Sequence, residues 1–268
     1  MKKIISLDID GTLYTSDKKI SPETKAALLR TQEKGCILVL ASGRPTAGLV
    51  PIAEQLEMQK FHGMLLAYNG GVVIDLTTQE KIYSNTIPNN LAKKLLKHLE
   101  NFPDANPIVD DGETIFTTDA ESFKVPYESQ SNHLKIKIVE NIHDAVDFSP
   151  AKILIAEPEN FMPHDIEKIS APFKNELDFV LSTPFYLEAT PKGVSKADAL
   201  KKACEVLKIS TENIIAFGDA QNDIPMLKIA GYAVAMGNAC EELKNLADFV
   251  TATNDDNGIA KALEKMDI

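Results

Sequence analysis

Two acidic segments, far apart in the chain, carry residue types that could act on phosphate. Asp8-Ile9-Asp10-Gly11-Thr12 follows the apolar run Ile4-Ile5-Ser6-Leu7, and Gly218-Asp219-Ala220-Gln221-Asn222-Asp223 follows Ile214-Ile215-Ala216-Phe217. Carboxylates grouped this closely repel one another unless a cation or a shared proton compensates. Mg²⁺ meets that need, since it takes oxygen ligands and is commonly held by one or two carboxylates plus a substrate phosphate. Asp8 and Asp219 suit direct ligation, Asp10 a backbone carbonyl ligand, and Asp223 the orientation of a bound water. Each segment also has a plainer reading: an acidic loop that opens a helix, and an Asp-Asn cap on a short helix.

Two smaller signals could complete a phosphate cradle. Ser42-Gly43-Arg44-Pro45 follows the apolar run Ile37 to Leu40 and offers a hydroxyl and backbone N–H groups near a helix start. Lys196 stands at the start of another predicted helix, where a cation opposes the helix dipole and so hints at an anion nearby. Taken singly, either feature is more often structural.

The elements that must position these residues follow a clear rhythm. Ile4–Leu7, Ile37–Leu40 and Met64–Ala67 are short and apolar throughout, as strands buried on both faces are. Helices fall between them: one opened by Ser21 and Pro22 and closed by Gly35, and one over about 46–57. From Val72 the rhythm changes. Val72–Asp75 and Lys81–Tyr83 flank a hairpin turn, and a helix over about 88–102 places Leu91, Leu95 and Leu99 on one face. Strand-like pieces follow at 108–109, 114–116, 135–139, 152–156, 179–181 and 186–188, with a helix near 164–176. The alternation Lys135-Ile136-Lys137-Ile138 predicts a sheet with one open face. From Ser195 the first rhythm returns, with strands at 214–217 and 232–235 among helices over 195–207, 224–230, 241–246 and 259–265. The middle segment therefore reads as a separate α+β domain, 84–188, inserted into an α/β core made of 1–83 and 189–268.

Composition narrows the function. The chain has 268 residues and a formal net charge of −11, from 39 acidic and 28 basic residues, with no conspicuous Lys/Arg cluster. Binding to the phosphate backbone of a nucleic acid needs such a cluster, so nucleic acid is not an expected partner. No apolar stretch is long enough for a membrane span, and Asp8 and Asp10 interrupt the apolar start too early for a signal peptide. The expected location is cytoplasmic. Cys36, Cys204 and Cys240 are widely spaced among apolar neighbours and read as packed thiols, while the five histidines show no ligand spacing.

Together, the four signals resemble the haloacid dehalogenase superfamily. Asp8 to Thr12 is similar to its first motif, Ser42 to its second, Lys196 to its third, and Gly218-Asp219 through Asn222-Asp223 to its fourth. The long insertion resembles the type IIB cap of the Cof-type phosphatases, and Asn69-Gly70 and Thr190 to Lys196 fit the same pattern. Ala197 departs from it, since relatives often carry glycine there. The resemblance implies a Rossmann-like parallel-sheet core with an inserted cap, and a Mg²⁺-dependent phosphatase acting on small phosphate esters such as sugar or cofactor phosphates. It also implies roles. Asp8 would be the nucleophile that forms an aspartyl-phosphate, and Asp10 the general acid and base. Ser42, Lys196, Asn222 and the N–H groups of Ile9 and Gly43 would hold the phosphoryl oxygens. The expected partner is a small phosphorylated metabolite, and the expected assembly a monomer or small homo-oligomer. A phosphomutase would share the chemistry as far as the aspartyl-phosphate. A phosphoacceptor signalling protein or a phospho-ligand sensor would share the acidic cluster but not turnover.

Overall fold

The computed structural model of the chain describes residues 2–159 and 162–268. They divide into two compact units, one of Met1–Arg44, Leu49–Tyr83 and Ser195–Ile268, the other of Pro45–Gly48 and Ser84–Val194.

The first unit begins with β1 (Ile4–Leu7), α1 (Pro22–Glu33), β2 (Ile37–Ala41), α2 (Thr46–Gln55), β3 (Met64–Ala67), β4 (Val72–Asp75) and β5 (Lys81–Ser84). All residues of β1, β2 and β3 are buried, which is why those runs are apolar but for Ser6, whose hydroxyl donates to the Met226 sulfur. The Ser21 hydroxyl accepts from the Thr24 N–H and Pro22 takes the first helical position, so α1 starts where its capping residues require. β4 turns back antiparallel to β3.

The second unit holds α3 (Asn89–Leu99), β6 (Asn106–Asp110), β7 (Thr114–Thr117), α4 (Val125–Asn132), β8 (Lys135–Ile138) and α5 (Ile142–Ala145). It continues with β9 (Ile153–Ala156), α6 (Met162–Ser170), β10 (Leu177–Thr183) and β11 (Tyr186–Pro191). Its sheet runs β10-β11-β9-β6-β7-β8, antiparallel except where β8 lies parallel to β7. Val109, Ile153, Ile155, Leu187 and Ala189 form a core with Leu91, Leu95 and Leu99 of α3 and with α5 and α6. On the opposite face Ile108, Ile115, Leu154, Ala156 and Tyr186 meet Val125 of α4 and Leu134. Neither α4 nor α5 was expected from the sequence. The Lys-Ile alternation of β8 does not mark a buried face either: β8 is an edge strand with every residue exposed, Ile138 to 66%.

The remaining elements complete the first sheet: α7 (Lys196–Leu207), β12 (Ile214–Gly218), α8 (Ile224–Ile229), β13 (Tyr232–Ala235), α9 (Glu241–Leu246), β14 (Phe249–Val250) and α10 (Gly258–Lys265). Strand order is β14-β13-β12-β1-β2-β3-β4-β5, with parallel pairing from β14 to β3. Ile4, Val39, Leu66, Ile214 and Ala216 face α7, α8 and α9, while Ile5, Leu7, Leu38 and Phe217 are buried on the other side. The α/β core with an α+β insertion expected from the sequence is thus the architecture observed. The strand order runs outward in both directions from the β1/β12 pair, and ligands of open α/β sheets collect at the carboxyl ends of strands at such a reversal. Cys36 and Cys204 are buried free thiols, as their apolar neighbours predict. Among the described residues no helix is long and apolar enough to cross a membrane.

Candidate active site

Asp8 leaves the end of β1 and Asp219 the end of β12, the two strands that flank the reversal. The chain turns sharply after Asp8: the Ile9 carbonyl accepts from the N–H groups of Thr12 and Tyr14. Gly11 makes that turn possible. Its φ is +88°, and a side chain there would run into the Asp219 carboxylate. The next helix, α1, begins only at Pro22 behind its own cap Ser21, so the acidic segment does not open a helix. Thr12 Oγ1 instead donates to Asp219 Oδ1 at 2.7 Å, joining the two acidic segments.

Lys196 lies at the first helical position of α7, behind the Ser195 N-cap, and its side chain is wholly buried. Its ammonium donates to Asp8 Oδ1 at 2.5 Å and to Asp223 Oδ1 at 2.6 Å. The cation that opposes its own helix dipole is therefore held by two carboxylates. The start of α7 is itself seated by Gly70, whose φ is +102° and where a Cβ would meet the Ser195 backbone. The Asp223 side chain is wholly buried. Both its oxygens are engaged, one by Lys196 and the other by the N–H groups of Asp219 at 3.0 Å and Ala220 at 3.1 Å. It fixes the loop carrying Asp219 and sets the lysine, and it does not cap α8 with its side chain.

Asp8, Asp219 and Asp223 offer oxygen atoms that all lie within 4.8 Å of one another. Three carboxylates here face one ammonium. Burial, with the charges of Asp223 and Asp219, pushes the Asp8 carboxyl up against the opposing pull of Lys196, and burial and Asp223 raise Asp219 as well. Burial works against the charge on Lys196, yet Asp8 and Asp223 hold it above the ordinary lysine value. Such a site is short of positive charge, and an all-oxygen donor set with excess negative charge fits a hard divalent cation such as Mg²⁺.

The Asp10 side chain is held by two cations. Arg44 grips it with a fork, Nε to Oδ2 and Nη2 to Oδ1, both at 2.9 Å, and Lys18 Nζ approaches Oδ1 at 2.8 Å. Burial opposes its charge, but these cationic hydrogen bonds hold its carboxyl below the usual range. The Arg44 guanidinium also lies over the Tyr14 ring, 5.7 Å from the centroid. Neither Arg44 nor Lys18 had been assigned a role; Arg44 was visible in the Ser42 motif, whereas Lys18 has no sequence signal.

The Ser42 loop follows β2. Ser42 is buried, its hydroxyl accepts from the Arg44 N–H at 3.3 Å, and its carbonyl accepts from the Asn69 N–H at 2.8 Å. Asn69 bridges two of the motifs. Its side chain lies beside Gly43, and its Oδ1 accepts from Asn222 Nδ2 at 3.2 Å. The residues singled out from the sequence thus form two neighbouring groups in the first unit. One is Asp8, Lys196, Asp219 and Asp223. The other links Ser42, Gly43 and Asn222 through Asn69, with Asp10 joined to it by Arg44.

A family profile described as haloacid dehalogenase-like hydrolase matches residues 5–263. A 5-amino-6-(5-phospho-D-ribitylamino)uracil phosphatase of Bacillus subtilis (strain 168) is 31% identical, over 97% of this chain and 94% of that one. Among solved structures, a haloacid dehalogenase-like hydrolase from Bacteroides thetaiotaomicron is 36% identical with a TM-score of 0.94, covering 99% of this chain and 100% of its own. A sugar phosphatase of haloacid dehalogenase subclass IIB is 25% identical with a TM-score of 0.78 over 99% of both chains. Profile, relatives and fold agree along almost the whole length, and the chain belongs to the haloacid dehalogenase-like hydrolases, as a phosphatase of their Cof-type branch.

Proposed function

We propose that this phosphatase is Mg²⁺-dependent and hydrolyses small phosphate monoesters, sugar phosphates or cofactor-type phosphates, through an aspartyl-phosphate on Asp8. The observation that carries the reading is the convergence of Asp8, Asp219 and Asp223 around one buried lysine. Asp8, Asp219 and the Asp10 carbonyl would hold the cation, with Asp223 fixing the loop that presents Asp219. When bound, Mg²⁺ supplies neutralising charge to the site and to the phosphate.

Asp8 attacks phosphorus in line, so that a carboxylate O–P bond forms as the ester O–P bond breaks. Asp10 gives a proton to the departing alcohol oxygen, then takes one from the water that cleaves the aspartyl-phosphate and restores Asp8. Arg44 and Lys18 hold Asp10 ionised, the form that suits the water step. The acid step requires these ion pairs to loosen as the ester arrives. Ser42, Lys196, Asn222 and the N–H groups of Ile9 and Gly43 steady the phosphoryl oxygens as charge redistributes. The inserted domain, 84–188, acts as a cap that selects the leaving group. Two named relatives support the substrate class: one acts on a phosphorylated ribityl compound, the other on sugar phosphates.

Phosphate release from a panel of sugar, nucleotide and cofactor phosphates tests the proposal. Turnover should require added Mg²⁺ and stop on chelation. Inactivity across the panel, with folded protein and Mg²⁺ present, would overturn it.

A further inference from the structure

A short segment after β13 ties the two acidic segments of the first unit together. The Met236 N–H donates to the Gly218 carbonyl at 3.0 Å and the Cys240 N–H to the Asp219 carbonyl at 2.9 Å, so 236–240 fastens the loop that presents Asp219. Asn238 stands between these two bonds, and its side chain reaches the other acidic segment, where Nδ2 donates to the Gly11 carbonyl at 2.8 Å. Its Oδ1 accepts from the Asn254 N–H at 3.1 Å, and Asn254 Nδ2 in turn donates to the Tyr14 carbonyl at 2.8 Å. Asp255 completes the row, with Oδ1 accepting from the Ser16 N–H at 2.8 Å and Oδ2 from the Ser16 hydroxyl at 2.7 Å.

Each point of attachment is one link away from the Asp10 carboxylate. Gly11 is the next residue in the chain. Tyr14 pairs with Asp10 in a parallel β-bridge. Ser16 leads to Lys18, whose Nζ lies 2.8 Å from Asp10 Oδ1 and whose N–H donates to the Thr15 carbonyl. The backbone that supplies the three side chains is itself closely joined. The Gly237 N–H donates to the Ala252 carbonyl, and a Cβ on Gly237 would stand 2.9 Å from backbone atoms of Ala252 and Thr253. Thr253 holds the turn that follows, its hydroxyl donating to Asp256 Oδ2 at 2.7 Å and its carbonyl accepting from the Gly258 N–H at 3.0 Å. Core packing does not call for this row. Asn238, Asp255 and Ser16 are exposed, and water serves the same polar groups in the unfolded chain. What the row does is fix where the turn that carries Asp10 stands.

We propose that Asn238, Asn254 and Asp255 are positioning residues for the Asp10 carboxylate. The inference rests on the acid–base role given to Asp10 above. β1 fixes the chain before Asp10, and the row of three fixes the chain after it. The acid step needs the Arg44 and Lys18 ion pairs to loosen, and the backbone clasp is then what keeps the carboxylate in place. Displacing a reacting group by about 1 Å costs on the order of 10²-fold in rate.

The test measures hydrolysis of p-nitrophenyl phosphate at saturating Mg²⁺. Asn238→Ala, Asn254→Ala and Asp255→Ala should each lower kcat by about tenfold with little change in KM. Asp255→Asn should keep wild-type kcat, because its amide oxygen still accepts from the Ser16 N–H. The alanine substitutions are then repeated in the Asp10→Asn chain. A residue that acts through the Asp10 carboxylate has nothing left to position there, so the further loss should shrink to about twofold or less. A loss of full size in that background means that the row serves the fold or the cation, and overturns the inference. So does wild-type kcat in all three alanine variants, or an Asp255→Asn chain as impaired as Asp255→Ala. Circular dichroism reports whether each variant is folded, and the Asp255 pair, at an exposed position, decides the matter if an asparagine variant is not. Wild-type activity in Asp10→Asn alone, or no hydrolysis by the wild-type chain, overturns the catalytic reading above and this inference with it.

Discussion

The two units treat their buried polar groups in opposite ways. In the first, Asp8, Lys196 and Asp223 spend their hydrogen bonds on one another and on the Asp219 loop. In the second, Asn132 Oδ1, Ser170 Oγ and Thr183 Oγ1 lack partners among the described residues. The first unit has Gln32 Oε1 and Asn257 Oδ1 in the same condition, both remote in sequence from the four motifs. A site that stabilises developing charge works best when its dipoles are already fixed, because no reorganisation is then needed during reaction. A site that recognises varied leaving groups needs capacity that its own fold has not used. The acidic site of the first unit is thus bonded within itself, while the second unit keeps polar atoms that its own fold has not used.

The contrast can be broken from the rigid side first. Asp8→Asn should lower phosphate release by at least about 10⁴-fold, since it removes the nucleophile itself. A variant that retained a tenth of the activity would refute the aspartyl-phosphate route. Asp10→Asn should cost about 10²–10⁴-fold, the range of a single acid–base group, and the loss should be present with aryl and sugar esters alike. Lys196→Met leaves Asp8 and Asp223 buried without their cation, which should destabilise the fold by about 3–5 kcal/mol in urea unfolding. A change near zero would mean that the two carboxylates are not held against each other in the way described.

The smallest effect sharpens the comparison from the other side. Glu157 is fully buried, and burial together with the facing Asp165 pushes its carboxyl up to about 7. The folded chain therefore binds this proton more tightly than the unfolded chain does. Its stabilising contribution is full below the ordinary glutamate value of 4.5 and is lost as pH rises through about 7. The wild-type Tm should fall between pH 5 and pH 8, and Glu157→Gln should narrow that fall. An identical pH dependence in the two proteins would show that Glu157 is not protonated in the folded state.

Much of the first unit was legible because its strands are buried on both faces, which leaves Ser6 as the one polar residue in β1, β2, β3 and β12. The second unit resists such reading. Val125 to Asn132 forms α4 with one apolar residue buried, too few for a helical stripe to show. β8 has the alternation of a half-buried strand without the burial, and in the first unit the two-residue β14 is too short to leave a pattern. The acidic residues, Ser42 and Lys196 could be found because they occur together at strand ends and helix starts of one α/β core, although each alone has a structural reading. The grip of Arg44 and Lys18 on Asp10 could not be found. It depends on where a loop lysine comes to rest, at a φ of +58°, and no periodicity records that. Asp223 was recognised from its type, but its bonds to Lys196 and to the Asp219 and Ala220 N–H groups were not, because they depend on how the short turn of helix at Gln221–Asp223 folds back on itself.

The pairing of β1 with β12 has a further consequence, for synthesis. Ile4 sits beside Ile214, 210 positions later, so one edge of the strand that leads to Asp8 has no neighbour until the chain beyond the insertion has been made. The sheet of the second unit closes on itself within 106–191 and can form in the meantime. Contacts of such long sequence separation form slowly, and an apolar strand that waits with an open edge is a template for aggregation. Assembly of the reactive site is therefore among the last events of folding. A nascent or truncated chain that carries Asp8 but lacks Lys196 and Asp219 therefore holds one carboxylate of the proposed site without its partners.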